Sequence, residues 1–115
     1  MSDPLFDEQR FVQSLAGDME LAAELINAFL EDSPERSESL GAALGRNDAD
    51  QASKLAHSLK GMCGVVRSTE NAHLALAIEE AVNAGDMAKT RQLYAAFTDR
   101  LGAAHLVMRT FLVRN

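Results

Sequence analysis

Apolar residues recur along this chain at intervals of three, four and seven positions, the spacing of one face of an α-helix. Two stretches show this spacing most clearly. Their apolar positions are Leu21, Leu25, Ile26, Phe29 and Leu30 in one stretch, and Leu93, Phe97, Leu101, Ala104 and Met108 in the other. No stretch alternates apolar and polar residues with the period of two that is typical of strands. The pattern therefore predicts an all-α protein.

Short polar pairs mark the predicted helix boundaries. In Gly17–Asp18, Asn47–Asp48 and Gly85–Asp86 the first residue ends a helix and the aspartate caps the next. Ser33–Pro34 and Ser68–Thr69 are two further candidate starts, with Pro34 at the first helical position. The predicted helices cover 5–16, 18–32, 34–46, 48–66, 69–84 and 86–113. The second and third are either separate or one helix that bends near Pro34.

Short connections between helices make neighbouring helices antiparallel. The predicted fold is therefore an antiparallel up-down four-helix bundle with a short additional N-terminal helix. The 115 residues suit one domain that spans the whole chain. We expect a monomer, because one bundle buries its own core and no further heptad seam is present.

Composition and charge exclude several classes of protein. The net charge is −6 and the 11 lysines and arginines are scattered, so there is no basic patch for nucleic acid or an anionic membrane. Cys63 is the only cysteine, which rules out an intrachain disulfide. The first ten residues lack the features of a secretory signal, and no apolar run could span a membrane. We expect a cytoplasmic protein, and the Met1 start with a complete helix set favours a stand-alone one.

The helix predicted over 48–66 contains two glycines whose presence needs an explanation, because each costs about 1 kcal/mol relative to alanine in a helix interior. On a helical wheel its core face comprises Ala52, Leu55, Ala56, Leu59, Met62, Cys63 and Val66. His57 lies roughly opposite that face, and its neighbours there are Ser53, Lys60, Gly61 and Gly64. We interpret the small residues as a shelf on which another protein can approach the imidazole.

The next helix offers a partner for this histidine. His57 and Glu79 each lie eleven residues from Ser68, where the two antiparallel helices turn, so they share one height in the bundle. A carboxylate at one ring nitrogen fixes the tautomer and leaves the other nitrogen able to attack. Lys60 would add positive charge near an incoming phosphoryl group. Leu76 falls outside the core stripe and is a candidate for partner docking.

The run His57-Ser58-Leu59-Lys60-Gly61, followed by Gly64, resembles the H-x-L-K-G pattern of histidine-containing phosphotransfer (HPt) domains. The likeness extends over nearly the whole chain. It includes Gly17–Asp18, Phe29 to Asp32 followed by Ser33–Pro34, Asn47–Asp48, Ile78–Glu79 and Gly85–Asp86. The resemblance implies a phosphorelay intermediate of two-component signalling. His57 would accept a phosphoryl group from an aspartyl phosphate of a receiver domain and pass it to another receiver.

The resemblance also implies roles and partners. Lys60 would stabilise the phosphoryl group and Glu79 would orient the imidazole. The partners would be receiver domains of a response regulator or a hybrid histidine kinase. Mg²⁺ would be bound by the receiver, and the chain would need no cofactor of its own. The predicted docking surface comprises Ser53, Gly61, Gly64 and Leu76. Met62, Cys63 and Arg67 depart from the usual small residues of the family, and Arg67 puts the turn after the helix in doubt.

Other interpretations stay open at this point. A bundle that docks receivers without transferring phosphate would not need His57, Lys60 and Glu79 together. A self-contained kinase or phosphatase is disfavoured, because no glycine-rich phosphate loop or Walker motif is present. The three histidines, which include His73 and His105, match no compact metal-ligand spacing. Gly64 can also be interpreted as the end of its helix.

Overall fold

The computed structural model of the chain describes residues 3–115. Its five helices are α1 (Glu8–Ser14), α2 (Met19–Gly45), α3 (Ala49–Val65), α4 (Thr69–Asn83) and α5 (Met87–Arg114). Helix α3 packs between α2 and α4, and α5 closes the ring by packing against α4 and α2. Helix α1 lies against α2. The predicted all-α four-helix bundle with a short N-terminal helix is therefore confirmed.

Local chemistry explains where α2, α3 and α5 begin. The side chains of Asp18, Asp48 and Asp86 each accept a hydrogen bond from the backbone N–H three residues later. The residues before these caps, Gly17, Asn47 and Gly85, all have positive φ. Left-handed backbone ends one helix, and the aspartate satisfies a free N–H of the next. The three predicted boundaries are confirmed.

The turn between α3 and α4 uses a residue other than glycine. Arg67 has a φ of 61°, in the left-handed region that glycine adopts most easily. The turn nevertheless closes, because the backbone N–H of Arg67 donates to Gly64 and that of Ser68 donates to Cys63. Ser68 precedes α4 as predicted, but its hydroxyl accepts from Asn71 and makes no cap. The arginine therefore leaves the turn geometry intact.

The prediction that Ser33 caps a separate helix beginning at Pro34 is wrong, and the alternative of one helix through this region is confirmed. Helix α2 runs through both residues, and Ser33 is buried in its interior. One face of α2 stays buried on both sides of the proline, from Phe29 to Leu40, and this packing outweighs the lost backbone hydrogen bond. Pro34 itself lies on the exposed side of the helix, so its ring takes no space in the core.

The core follows the predicted stripes with a few differences. On α3, Leu55 and Met62 are only partly buried, whereas the other five predicted core positions are buried. On α2 the predicted core residue Leu21 is 38% exposed, and Leu93 of α5 is partly buried. Within residues 3–115 no helix combines the length and the apolar character needed to cross a membrane.

His105 makes the stability of the bundle sensitive to pH. Its side chain is buried on α5, with Nε2 2.9 Å from the Ser33 hydroxyl and its ring edge-on to Phe29. Burial lowers the pKa of His105 below its ordinary value of 6.5, and the charge of Arg109 lowers it further. Just below pH 6.5, His105 therefore binds a proton more readily in the unfolded chain than in the folded one. Stability should be full above about pH 6.5 and fall as the pH drops below it, by no more than about 1.4 kcal/mol per pH unit.

Urea unfolding between pH 7.5 and 5 measures this dependence. We expect His105→Gln to flatten it, whereas His73→Gln, at an exposed position of α4, should leave it unchanged. The same slope in His105→Gln and in the unaltered chain would contradict the assignment.

Candidate functional site

His57 is presented to solvent by a helix whose other face is buried. Its side chain is 67% exposed, whereas Ala56 and Leu59 on the same helix are buried in the core. The neighbouring Ser58 accepts a hydrogen bond from the guanidinium of Arg36 on α2. The core face of α3 thus determines which way the imidazole points, and α2 holds the next residue of the same turn.

A carboxylate from α4 binds both His57 and Lys60. Glu79 Oε2 lies 3.0 Å from His57 Nδ1, and Glu79 Oε1 lies 3.0 Å from Lys60 Nζ. The Glu79 side chain is only 17% exposed, so it lies in the groove between α3 and α4. Both oxygens are engaged, one by the ring and one by the ammonium group, which holds all three side chains in one layer of the bundle.

The charge of Glu79 determines the tautomer of His57. The hydrogen bond from Lys60 lowers the pKa of Glu79 below its ordinary value of 4.5, and the bond with His57 adds to this against the opposite effect of burial. Glu79 is therefore ionised at neutral pH, and an ionised carboxylate only accepts hydrogen bonds. Nδ1 must then donate, so in the neutral ring it is Nε2 that carries the free lone pair. The carboxylate thus selects which nitrogen of the exposed ring can act as a nucleophile.

Lys60 lies beside the histidine but is bonded to Glu79. Its side chain is 32% exposed. An ammonium group has three N–H donors, and Glu79 takes one of them. Two donors remain for an anion that arrives next to His57.

Packing within the chain does not explain the glycines beside His57. A Cβ atom at Gly61 or Gly64 would meet no heavy atom within 4 Å, whereas one at Gly41 would collide with the hydroxyl end of the Tyr94 side chain. Gly64 does not end its helix, because α3 continues to Val65 and Val66 is the C-cap. Both glycines are exposed, and they leave the surface next to the imidazole low.

The other two predicted docking residues differ from each other. Leu76 is 37% exposed on α4. Ser53 is half-buried, and its hydroxyl donates to Asn83 Oδ1 at 2.9 Å, which ties it to α4. Sequence reasoning missed Asn83, although Ser53 and Asn83 each lie fifteen residues from Ser68. The symmetry argument that paired His57 with Glu79 would have paired these two as well.

An apolar groove next to Gly61 and Gly64 was also missed. It runs between α2 and α3, and Leu25, Phe29, Met62 and Val65 are among its lining residues. Val65 is 58% exposed. The hydropathy pattern had assigned Leu25 and Met62 to the core, and only their partial burial reveals that they form a surface.

The remaining histidines and the cysteine stand apart from this site. Across the described residues 3–115, no group of three histidine, cysteine, aspartate or glutamate side chains is arranged to hold a metal ion. Cys63 is buried in the core, and burial raises the pKa of its thiol to about 12. The thiol stays protonated at neutral pH and serves as a packing residue.

Comparison with known proteins gives one family and two solved structures. The model of the family described as "Hpt domain" matches residues 24–105. The crystal structure of histidine-containing phosphotransfer protein B (HptB) from Pseudomonas aeruginosa PAO1 is similar, with a TM-score of 0.90 and 28% identity over 99% of both chains. The HPT domain from the Hpt sensor hybrid histidine kinase of Shewanella shares the fold, with a TM-score of 0.85 and 19% identity over 97% of both chains. No curated protein sequence matches the chain.

Proposed function

Because the chain belongs to the Hpt domain family and has the phosphorelay role of that family in two-component signalling, we propose that His57 is its phospho-accepting residue. One observation carries this proposal. Glu79 binds Nδ1 of an exposed imidazole and thereby leaves Nε2 free to attack. His105, by contrast, is buried and bonded through its own Nε2, so it cannot reach a partner.

The proposed reaction starts from an aspartyl phosphate on a receiver domain. The lone pair of His57 Nε2 attacks phosphorus, so an N–P bond forms while the P–O bond to the aspartate breaks. The electron pair of that bond returns to the aspartate carboxylate. The proton on Nδ1 stays in its hydrogen bond with Glu79, whose negative charge stabilises the positive ring of the product. Passage to a second receiver is the reverse reaction with another aspartate.

Lys60 and Glu79 are proposed to position the reacting groups. Glu79 fixes the orientation of the ring, and Lys60 offers two N–H donors to the phosphoryl oxygens. Phosphoryl transfer needs mainly positioning and electrostatic stabilisation, which a helical surface with one nucleophile can supply. The receiver is proposed to supply the Mg²⁺ ion, and this chain to need no cofactor of its own.

HPt proteins are phosphotransfer intermediates that act with receiver domains and kinases. We propose in addition that this chain has no kinase activity or nucleotide site. The proposed docking surface centres on Gly61 and Gly64, with Leu76 on one side and the exposed Val65 on the other. Ser53 is proposed to contribute to this surface indirectly, because its hydrogen bond to Asn83 ties α3 to α4. A monomeric state and a cytoplasmic location remain predictions from the sequence.

A transfer assay tests the function. The chain is mixed with a panel of receiver domains that carry labelled aspartyl phosphate, with Mg²⁺ and without ATP. We expect one or more receivers to transfer label to this chain, in an acid-labile and base-stable form that peptide mapping locates at residue 57. Receivers that bind without transferring label would support a non-transferring adaptor instead. In a separate incubation with labelled ATP and no receiver, label on the chain would show a kinase site of its own.

A further inference from the structure

A second polar pair lies one helical turn from His57 and Glu79. Ser53 precedes His57 by four residues on α3, and Asn83 follows Glu79 by four residues on α4. Residues four apart share a helix face, and the two helices are antiparallel, so both pairs line the same groove. The Ser53 hydroxyl donates to Asn83 Oδ1 at 2.9 Å. This bond uses only the amide oxygen of Asn83, and the amide nitrogen takes no part in it.

The Asn83 amide has hydrogen-bonding capacity that the protein does not use. An asparagine amide nitrogen carries two N–H donors. Among residues 3–115, Nδ2 of Asn83 donates to no protein group, whereas Ser53 fixes the direction of its oxygen. Asn83 is exposed at the C-terminal end of α4. The side chain is therefore oriented and still able to donate to a ligand.

The geometry of antiparallel helices brings this amide toward the imidazole. Side chains on an α-helix lean toward the N-terminus of their own helix. By this rule we expect the His57 ring to lean toward the turn that contains Ser53, and Asn83 to lean back toward the turn that contains Glu79. The same lean accounts for the bond between Glu79 and Lys60, which lies closer to the α3–α4 connection. The rule therefore predicts that the side chains of His57 and Asn83 converge from opposite directions.

We propose that Asn83 is a positioning residue whose amide donates a hydrogen bond to the phosphoryl group on His57 Nε2, and that Ser53 orients this amide. The inference rests on the proposed function of His57. A phosphoryl group has three strong acceptor oxygens. Lys60 reaches it from the side of the α3–α4 connection, and Asn83 reaches it from the opposite side. Together they hold the phosphoryl group for a receiver that approaches over Gly61 and Gly64.

Two substitutions separate this role from simple fastening of the two helices. Asn83→Asp keeps the size of the side chain and the acceptor for Ser53, but replaces the donor with a negatively charged oxygen. Ser53→Ala removes the helix-to-helix bond and keeps the amide. Asn27→Asp, at an exposed site on α2, is the control for the added negative charge. The equilibrium fraction of phosphorylated chain with one cognate receiver is measured by ³¹P NMR, with thermal unfolding of the unphosphorylated proteins alongside.

We expect Asn83→Asp to lower the equilibrium constant for His57 phosphorylation by about 10-fold or more, because a charged hydrogen bond is replaced by repulsion. Ser53→Ala should have a smaller effect, and Asn27→Asp none. A second variant at this position, Asn83→Ala, removes the donor without adding a charge, and it should move the ³¹P resonance of the phosphohistidine. If both Asn83 variants transfer and resonate as the unaltered chain does, the inference is overturned while the proposed function stands. If the unaltered chain takes no label from any receiver, the proposed function fails and this inference fails with it.

Discussion

Replacing His57 with glutamine is expected to abolish phosphorylation of this chain, with a fall of more than about 1,000-fold in the rate of transfer from its receiver. Glutamine can still bond to Glu79, but its side-chain amide nitrogen has no available lone pair. No other described histidine shares a carboxylate with Lys60 and has two exposed glycines on the following turns of its helix. Because the side chain is 67% exposed, the free energy of unfolding should change by less than about 0.5 kcal/mol.

Rates of labelling at several receiver concentrations measure this loss, and calorimetry measures receiver binding separately. The dissociation constant should change little, since the shelf and the docking residues are untouched. His73→Gln is the matched control, because it alters an exposed histidine of α4. Label that persists in His57→Gln would place the phosphate elsewhere. An equal loss in His73→Gln would point to a general effect of removing a histidine.

The sequence predicted helix boundaries well where local chemistry determines them. Left-handed backbone at Gly17 and Gly85, each followed by an aspartate cap, needs only adjacent residues to form. A different local signal, a serine cap followed by proline, was misleading at Ser33–Pro34, where packing keeps one continuous helix. Ser33 bonds to His105, which lies 72 residues further along the chain. No local pattern contains that contact, so no local interpretation could have joined the two predicted helices with certainty.

The candidate site was predictable in part, because residues equally far from the turn between two antiparallel helices lie at the same level of the bundle. Counting from Ser68 placed Glu79 at the height of His57, and the structure brings the two side chains to 3.0 Å. Counting does not show what each side chain bonds to. Lys60 was assigned to the phosphoryl group, and in the structure its ammonium holds Glu79. The contact of Arg36 with Ser58 was missed because it depends on how α2 packs across α3.

Gly61→Leu is expected to make the protein more stable and much less active. Glycine costs about 1 kcal/mol relative to alanine in a helix interior, and leucine is nearly as good a helix former as alanine. A Cβ at this position meets no heavy atom within 4 Å, so the substitution should raise the free energy of unfolding by about 0.5–1 kcal/mol. Transfer from the receiver should fall about 100-fold, because a displacement of about 1 Å in the approach of two reacting groups has an effect of that size.

Gly102→Leu is the matched control for this prediction. Gly102 is also an exposed helical glycine whose Cβ would meet nothing within 4 Å, but it lies on α5. We expect a similar gain in stability there and no loss of transfer. A small phosphodonor such as phosphoramidate should still label His57 in Gly61→Leu, because only a protein-sized donor needs the shelf. Normal transfer from the receiver in Gly61→Leu would contradict the role of the glycine.

A gain in stability together with a loss of transfer would show that Gly61 serves access by a partner and not packing within the chain. Where a glycine is needed for packing, a larger side chain lowers both the stability and the activity of the protein. Gly41, which is crowded by Tyr94, is such a position. Where a glycine is needed for a partner, a larger side chain lowers activity alone, because the space beside the glycine is filled only in the complex with that partner. Gly61 and Gly64 lie one turn and two turns beyond His57, the proposed phospho-acceptor. On that proposal, the cost of about 1 kcal/mol at each glycine of α3 is explained by the access that a receiver needs to Nε2.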